Sequence, residues 1–223
     1  MNNNQAILFD LDGTLLDSTD LILSSFQHVI KNHLNRDISK EELIPNFGRP
    51  LIEAMEEIAP GQAGLLVDIY REYSQKHHDK MVKLFPKVAA TLEELHKQNI
   101  KLGIVTSKIK ETALRGLKLF HLDSLFDVFV GYEDTIIHKP KPEPMLYALD
   151  RLNIMPENAI MVGDSPHDII SAKAAGLKTA AVTWSSFPLE RLQAEQPTYI
   201  ISNMTQLMDI VCNIQNDSIR GMI

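Results

Sequence analysis

At 223 residues and 44% apolar side chains, the chain can bury a full core without disulfide staples. Its net charge of −7 argues against general nucleic-acid binding, which relies on Lys and Arg to neutralise phosphates. No apolar run is long enough to span a bilayer, and the polar, uncharged start (Met-Asn-Asn-Asn-Gln) has none of the regions of a signal peptide; a cytoplasmic protein without a membrane partner is expected. The lone cysteine, Cys212, rules out an internal disulfide framework, and its apolar surroundings predict a buried, inert thiol. Composition leaves the oligomeric state open, with a monomer admissible.

Residues 6–9, Ala-Ile-Leu-Phe, read as a short buried strand. Asp10 and Asp12 follow with one leucine between them, and Gly13-Thr14 turns the chain. Two carboxylates so close repel each other, and a metal cation is one way to keep both charged. Residues 18 to 81 then change character. Ser18 is placed to cap a helix to about Leu34, with Leu21, Ile22, Phe26, Val29 and Ile30 at helical spacing. Ser39-Lys-Glu-Glu fits a capping box, Asn46-Phe-Gly-Arg-Pro breaks the helix it opens, and a further helix follows Pro50 to about Ile58. Pro60-Gly61 breaks again before a longer helix to about Met81. No strand is expected in this stretch.

From Phe85-Pro86 the pattern becomes α/β alternation. Strands are expected at Lys101 to Thr106, Val128 to Val130, Ala159 to Val162, Thr179 to Thr183 and Thr198 to Ile201, with helices between them and a last helix to about Asn213. Such alternation implies a parallel sheet with helices on both faces, a Rossmann-like α/β core. The expected organisation is a core of residues 1–16 and 82–213, an inserted all-helical cap of 17–81, and a loose tail of 214–223.

Three later stretches also place polar groups at strand ends. Gly-Ile-Val-Thr-Ser-Lys ends a strand at Thr106 and Ser107 just before a helix, where hydroxyls and free backbone N–H groups make an anion site or an ordinary cap. His-Lys-Pro-Lys-Pro-Glu-Pro is a loop stiffened by Pro140, Pro142 and Pro144, from which Lys139 or Lys141 can project. Gly-Asp-Ser-Pro-His-Asp places Asp164 past a strand and Asp168 one helical turn on; the helix dipole would stabilise both acids even without a ligand.

Together the four stretches resemble the motifs of the haloacid dehalogenase superfamily of phosphohydrolases, in their order, and the helical block resembles the cap of its subgroup I. The resemblance implies that Asp10 is the nucleophile and Asp12 the general acid/base. It implies that Thr106 binds the transferring phosphoryl group, with Ser107 beside it, and that Lys139, rather than Lys141, balances the charge. It further implies a Mg²⁺ held by Asp10, by Asp12 through its backbone carbonyl, and by Asp164, with Asp168 in support directly or through water. His167 falls outside the motif and reads as exposed or as a local accessory. The Asp-Ser-Pro-His-Asp turn and Thr183-Trp184 look more narrowly like bacterial phosphoglycolate phosphatases and, above all, like the pyrophosphatases associated with the serine-phosphorylating kinase of the sugar-transport carrier HPr.

The expectation is therefore an enzyme hydrolysing a small phosphorylated substrate, pyrophosphate or 2-phosphoglycolate. Gly48 and Arg49 in the cap break would read the leaving group. A phosphosugar mutase or another phosphomonoesterase shares the motifs, and a non-catalytic phosphate- or nucleotide-binding protein is the alternative of another class.

Overall fold

The computed structural model describes residues 5–212. The expected loose tail and the end of the last helix at Asn213 lie outside the described residues. Strand β1 (Ala6–Phe9) leads through a tight turn into β2 (Leu16–Asp17). Four helices follow, α1 (Thr19–Leu34), α2 (Lys40–Leu43), α3 (Leu51–Ile58) and α4 (Ala63–Met81), before β3 (Lys83–Leu84). The alternating part contains α5 (Val88–Lys97), β4 (Lys101–Val105), α6 (Lys110–Leu119), β5 (Val128–Val130), α7 (Glu143–Leu152) and β6 (Ala159–Gly163). It continues with α8 (Pro166–Ala174), β7 (Lys178–Val182), α9 (Leu189–Ala194) and β8 (Tyr199–Ile201), and residues 206–212 are helical.

Among the described residues, six strands form one sheet in the order β5-β4-β1-β6-β7-β8, parallel at every pairing. β1 is central, so both its faces are covered and its four residues are all buried. The strand period of two divides them: Ile7 and Phe9 join one apolar cluster with Ile104 and Val162, while Ala6 and Leu8 join the opposite one with Val105 and Met161. The larger of these, such as Ile7, Leu8 and Phe9, each stabilise the fold by about 1.5–3 kcal/mol when fully buried.

The chain builds outward from β1 on one side through β4 and β5, then crosses to β6 on the other. That crossing is the switch point at which open α/β sheets bind ligands, outside the carboxyl ends of their strands. The register fixes what stands there. Phe9 is level with Ile104 and with Val162, so Asp10, Thr106 and Asp164 emerge at neighbouring strand ends.

Three sequence expectations are corrected. Ser18 stands at the N-cap position of α1 but makes no capping hydrogen bond; its hydroxyl donates to Asp12 instead. Cys212 is exposed, not buried. The final helix buries Leu207, Ile210 and Val211, spaced three and four apart, and Cys212 falls off that stripe. Of the two readings of His167, exposed or a local accessory, the first is set aside: it is half-buried, and its Nδ1 is enclosed with no hydrogen-bond partner among the described residues.

The ribbon formed by β2 and β3 also escapes the sequence pattern. These two-residue strands pair antiparallel, Leu16 with Leu84 and Asp17 with Lys83, where the chain enters and leaves the helical block. The capping box at Ser39 and Glu42 is present. The helices pack around Phe26, Ile30, Met55 and Leu66, and this cluster continues into Ile169 and Phe187 beside the sheet.

Candidate active site

Asp10, buried at the end of β1, accepts a hydrogen bond from Lys139 Nζ at 2.8 Å. The same ammonium donates to Asp168 Oδ1 at 2.6 Å and to the Val105 carbonyl at 3.1 Å, so its three protons are all placed. Lys141, the other lysine of that loop, is exposed. The second oxygen of Asp168 accepts from the Ser165 backbone N–H at 3.0 Å and the Ser165 hydroxyl at 2.6 Å, a capping box that opens α8. Asp168 is thus both a helix cap and the anchor of Lys139. Gly163 makes room for it, since a Cβ there would run into the Asp168 side chain.

Asp164 is buried beside them, and Thr14 Oγ1 reaches one of its oxygens at 3.4 Å. Asp10, Asp164 and Asp168 each offer a carboxylate oxygen within 4.8 Å of the others. Burial pushes Asp10 up to about 7, a rise that Lys139 opposes and the charge of Asp168 reinforces. Burial, then the charges of Asp10 and Asp168, likewise hold Asp164 well above the usual carboxylate range. For Lys139, burial would lower the pKa, but Asp10 and Asp168 outweigh it and raise it, so the lysine stays charged. Three buried carboxylates around one ammonium leave an excess of negative charge. That donor set fits a divalent cation with a preference for oxygen ligands, and Mg²⁺ is such an ion.

The Asp12 carboxylate stands outside this trio. Its Oδ1 accepts from Ser18 Oγ at 2.6 Å and from Lys108 Nζ at 2.9 Å. Neither pairing with Asp12 was read from the sequence. Ser18 read as a cap, and Lys108 is 96 positions from Asp12, so no local spacing links the pair. Thr106 is buried at the end of β4, and its hydroxyl accepts from the Lys108 N–H at 3.2 Å.

A cavity of about 150 Å³ opens over these groups, with Asp10, Asp12, Thr106 and Asp164 in its wall. Its other wall comes from the helical block. Gly48 and Arg49 both line it. The Gly48 carbonyl accepts from Ser107 Oγ at 2.7 Å, which joins the two walls. Gly48 has φ +75°, and a Cβ there would crowd Ser165, so this loop sits directly on the turn that opens α8. Arg49 pairs with Glu57 at 2.6 Å.

Gly13 also depends on having no side chain. Its φ is +83°, and a Cβ would run into the Asp164 carboxylate. Gly13→Ala is therefore expected to displace Asp164 and lower turnover by roughly 100-fold, the scale of a 1 Å misplacement at a reacting centre. Steady-state rates checked beside a circular-dichroism spectrum test this, and a variant with wild-type turnover would contradict it.

A parallel α/β sheet, a helical insert after its first strand and a carboxylate cluster around a buried lysine at the switch point define an α/β enzyme with an acidic centre. The chain belongs to the haloacid dehalogenase-like hydrolase family, whose model matches residues 7–182. It is 46% identical over 212 residues to a protein of Caldanaerobacter subterraneus provisionally named pyrophosphatase PpaX, covering 95% of this chain and 96% of that one. It is 41% identical to pyrophosphatase PpaX of Halalkalibacterium halodurans, over 92% of this chain and 95% of the relative. Among solved structures, a haloacid dehalogenase-like family hydrolase from Streptococcus pneumoniae superposes with a TM-score of 0.83 at 29% identity, covering 94% of this chain and 99% of the other. Among the described residues, no helix is long and apolar enough to cross a membrane.

Proposed function

We propose that this hydrolase is a magnesium-dependent pyrophosphatase working through an aspartyl-phosphate on Asp10, with 2-phosphoglycolate its second substrate. The observation that carries the reading is the Asp10–Lys139–Asp168 chain, buried beside Asp164 under a small cavity. The PpaX names of its relatives support the choice of pyrophosphate. So does size: 150 Å³ falls below the roughly 300–1,000 Å³ of pockets that take drug-sized ligands.

Asp10 attacks phosphorus in line and takes the phosphoryl group as an acyl phosphate, while the bridging oxygen leaves with its electron pair. Asp12 gives that oxygen a proton, then takes one from the water that hydrolyses the acyl phosphate and frees Asp10. Ser18 and Lys108 fix the orientation of Asp12 for both transfers. Thr106 and Lys139 face the charge that spreads over the equatorial oxygens, with Ser107 holding the edge of the site to the Gly48 loop. Asp10, the Asp12 backbone carbonyl and Asp164 would hold Mg²⁺, with Asp168 in support; the ion supplies charge neutralisation between an anionic nucleophile and an anionic phosphate. Residues 17–81 act as a cap over a core of 1–16 and 82–213, moving on the β2–β3 ribbon and excluding water when closed. The joined walls at Ser107 and Gly48 support this.

Turnover of pyrophosphate, 2-phosphoglycolate, hexose phosphates and nucleotides, with and without Mg²⁺, tests the assignment. Pyrophosphate is expected to give the highest kcat/KM, and only with the metal; a preference for hexose phosphates or nucleotides would refute it. Removing metal groups should show in the Mg²⁺ titration. Asp168→Ala is expected to raise half-saturation by roughly 10-fold and Asp164→Ala by roughly 100-fold or more, bracketing the usual cost of supporting groups. Unchanged half-saturation in both variants would remove the metal assignment.

A further inference from the structure

The cations around the cavity are not equivalent. Arg49 is neutralised by Glu57 at 2.6 Å, and Lys108 by Asp12 at 2.9 Å. Lys139 is held between Asp10 and Asp168. Arg71, on α4, also lines the cavity and is half-buried, yet makes no ion pair or hydrogen bond among the described residues. Gln75 lies one turn further along the same helix and lines the same wall. The helical block therefore presents one uncommitted guanidinium and a neighbouring amide towards the site where Asp10 would take a phosphoryl group.

From this we infer that Arg71, rather than Arg49, is the specificity-determining residue of the cavity, reading the negative charge of the leaving group. The inference rests on the phosphohydrolase reading above and names the residue that selects its substrate. Arg49 already commits part of its guanidinium to Glu57. Arg71 offers a planar fork of donors that matches phosphate or carboxylate oxygens two at a time. A leaving phosphate and a leaving glycolate both carry the anion it needs, whereas an aryl alcohol does not. Phe47 and Leu51 also line the cavity and carry no charge that competes for the guanidinium.

The test compares wild type, Arg71→Ala, Arg71→Lys and Arg49→Ala on pyrophosphate, 2-phosphoglycolate and p-nitrophenyl phosphate at saturating Mg²⁺. Arg71→Ala is expected to lose about 100-fold in kcat/KM on the favoured anionic-leaving substrate, mostly through KM, the scale of one or two charged hydrogen bonds. Its loss on p-nitrophenyl phosphate should be at least about tenfold smaller, with Arg71→Lys recovering part of the preference and Arg49→Ala losing less than Arg71→Ala. The aryl substrate also reports folding, because a misfolded variant loses all three activities together; circular dichroism and Arg71→Lys then decide the case. Equal losses on all substrates in a folded variant, or a preference kept without Arg71, would overturn the inference and leave the pyrophosphatase reading intact. A wild type that favours 2-phosphoglycolate and loses that preference in Arg71→Ala would uphold Arg71 and replace pyrophosphate. A wild type with no preference for either anionic leaving group would overturn both.

Discussion

Asp10→Asn is expected to lower turnover by roughly 10⁴-fold or more, the scale on which removal of a nucleophile acts. The amide keeps the shape of the carboxylate but not its nucleophilicity. It also keeps an oxygen for the Lys139 ammonium, which retains Asp168 at 2.6 Å. The fold should therefore survive, and the removal of one of three crowded buried carboxylates offsets part of the lost ion pair. Steady-state kinetics on freshly purified protein, with a melting curve alongside, checks both halves. Wild-type turnover would show that Asp10 is not the attacking group.

Lys139→Met should have a large effect on stability as well as on rate. The lysine is nearly inaccessible, as are both carboxylates it bridges. Methionine fills similar space but leaves Asp10, Asp164 and Asp168 without a cation. Breaking a buried pair from one side costs about 3–5 kcal/mol. At about 2–4 °C per kcal/mol for a chain of this size, the metal-free variant should melt about 6–20 °C below wild type. Adding Mg²⁺ should raise the variant's Tm by more than it raises the wild type's, because the ion meets carboxylates that lack their other counter-charge. Equal melting of the two metal-free proteins would contradict the view that Lys139 holds this cluster together.

Much of the fold was legible because its signals are local. β1 announces itself as an apolar run ended by acids. The capping box at Ser39 and Glu42 is written within four residues, and α3 and α4 lie between breakers the chain spells out. The alternation of strands and helices then implies a parallel sheet, while the strand order that puts the switch point beside β1 is visible only in the fold.

What was missed is long-range or too short to carry a period. β2 and β3 have two residues each, and only their pairing makes them strands. Ser18 has the sequence context of a cap, whose oxygen would accept from a backbone N–H, and only the fold reveals that its hydroxyl donates to Asp12. Lys108 meets Asp12 through the return of β4 to the side of β1. Arg71 looks like any polar-face arginine until α4 is laid over the cavity, whereas Arg49 drew notice from its glycine and proline neighbours. Cys212 read as buried because its neighbours are apolar, but one step along a helix is a turn of about 100°, enough to leave the core.

The central claim is that Asp10 carries the phosphoryl group, and trapping it is the direct test. Asp12→Asn keeps an acceptor for Ser18 and Lys108 but cannot activate water, so hydrolysis of the intermediate should slow. An activated aryl phosphate needs little help from a general acid to leave, so the first step should still proceed. Asp12→Asn and wild type would be mixed with that substrate and Mg²⁺, quenched in acid within the first turnover, digested and analysed by mass spectrometry. The account predicts a hydroxylamine-labile phosphoryl group on the peptide bearing Asp10, absent in Asp10→Asn. Release of a full first turnover of aryl alcohol with no phosphate bound to protein would contradict it.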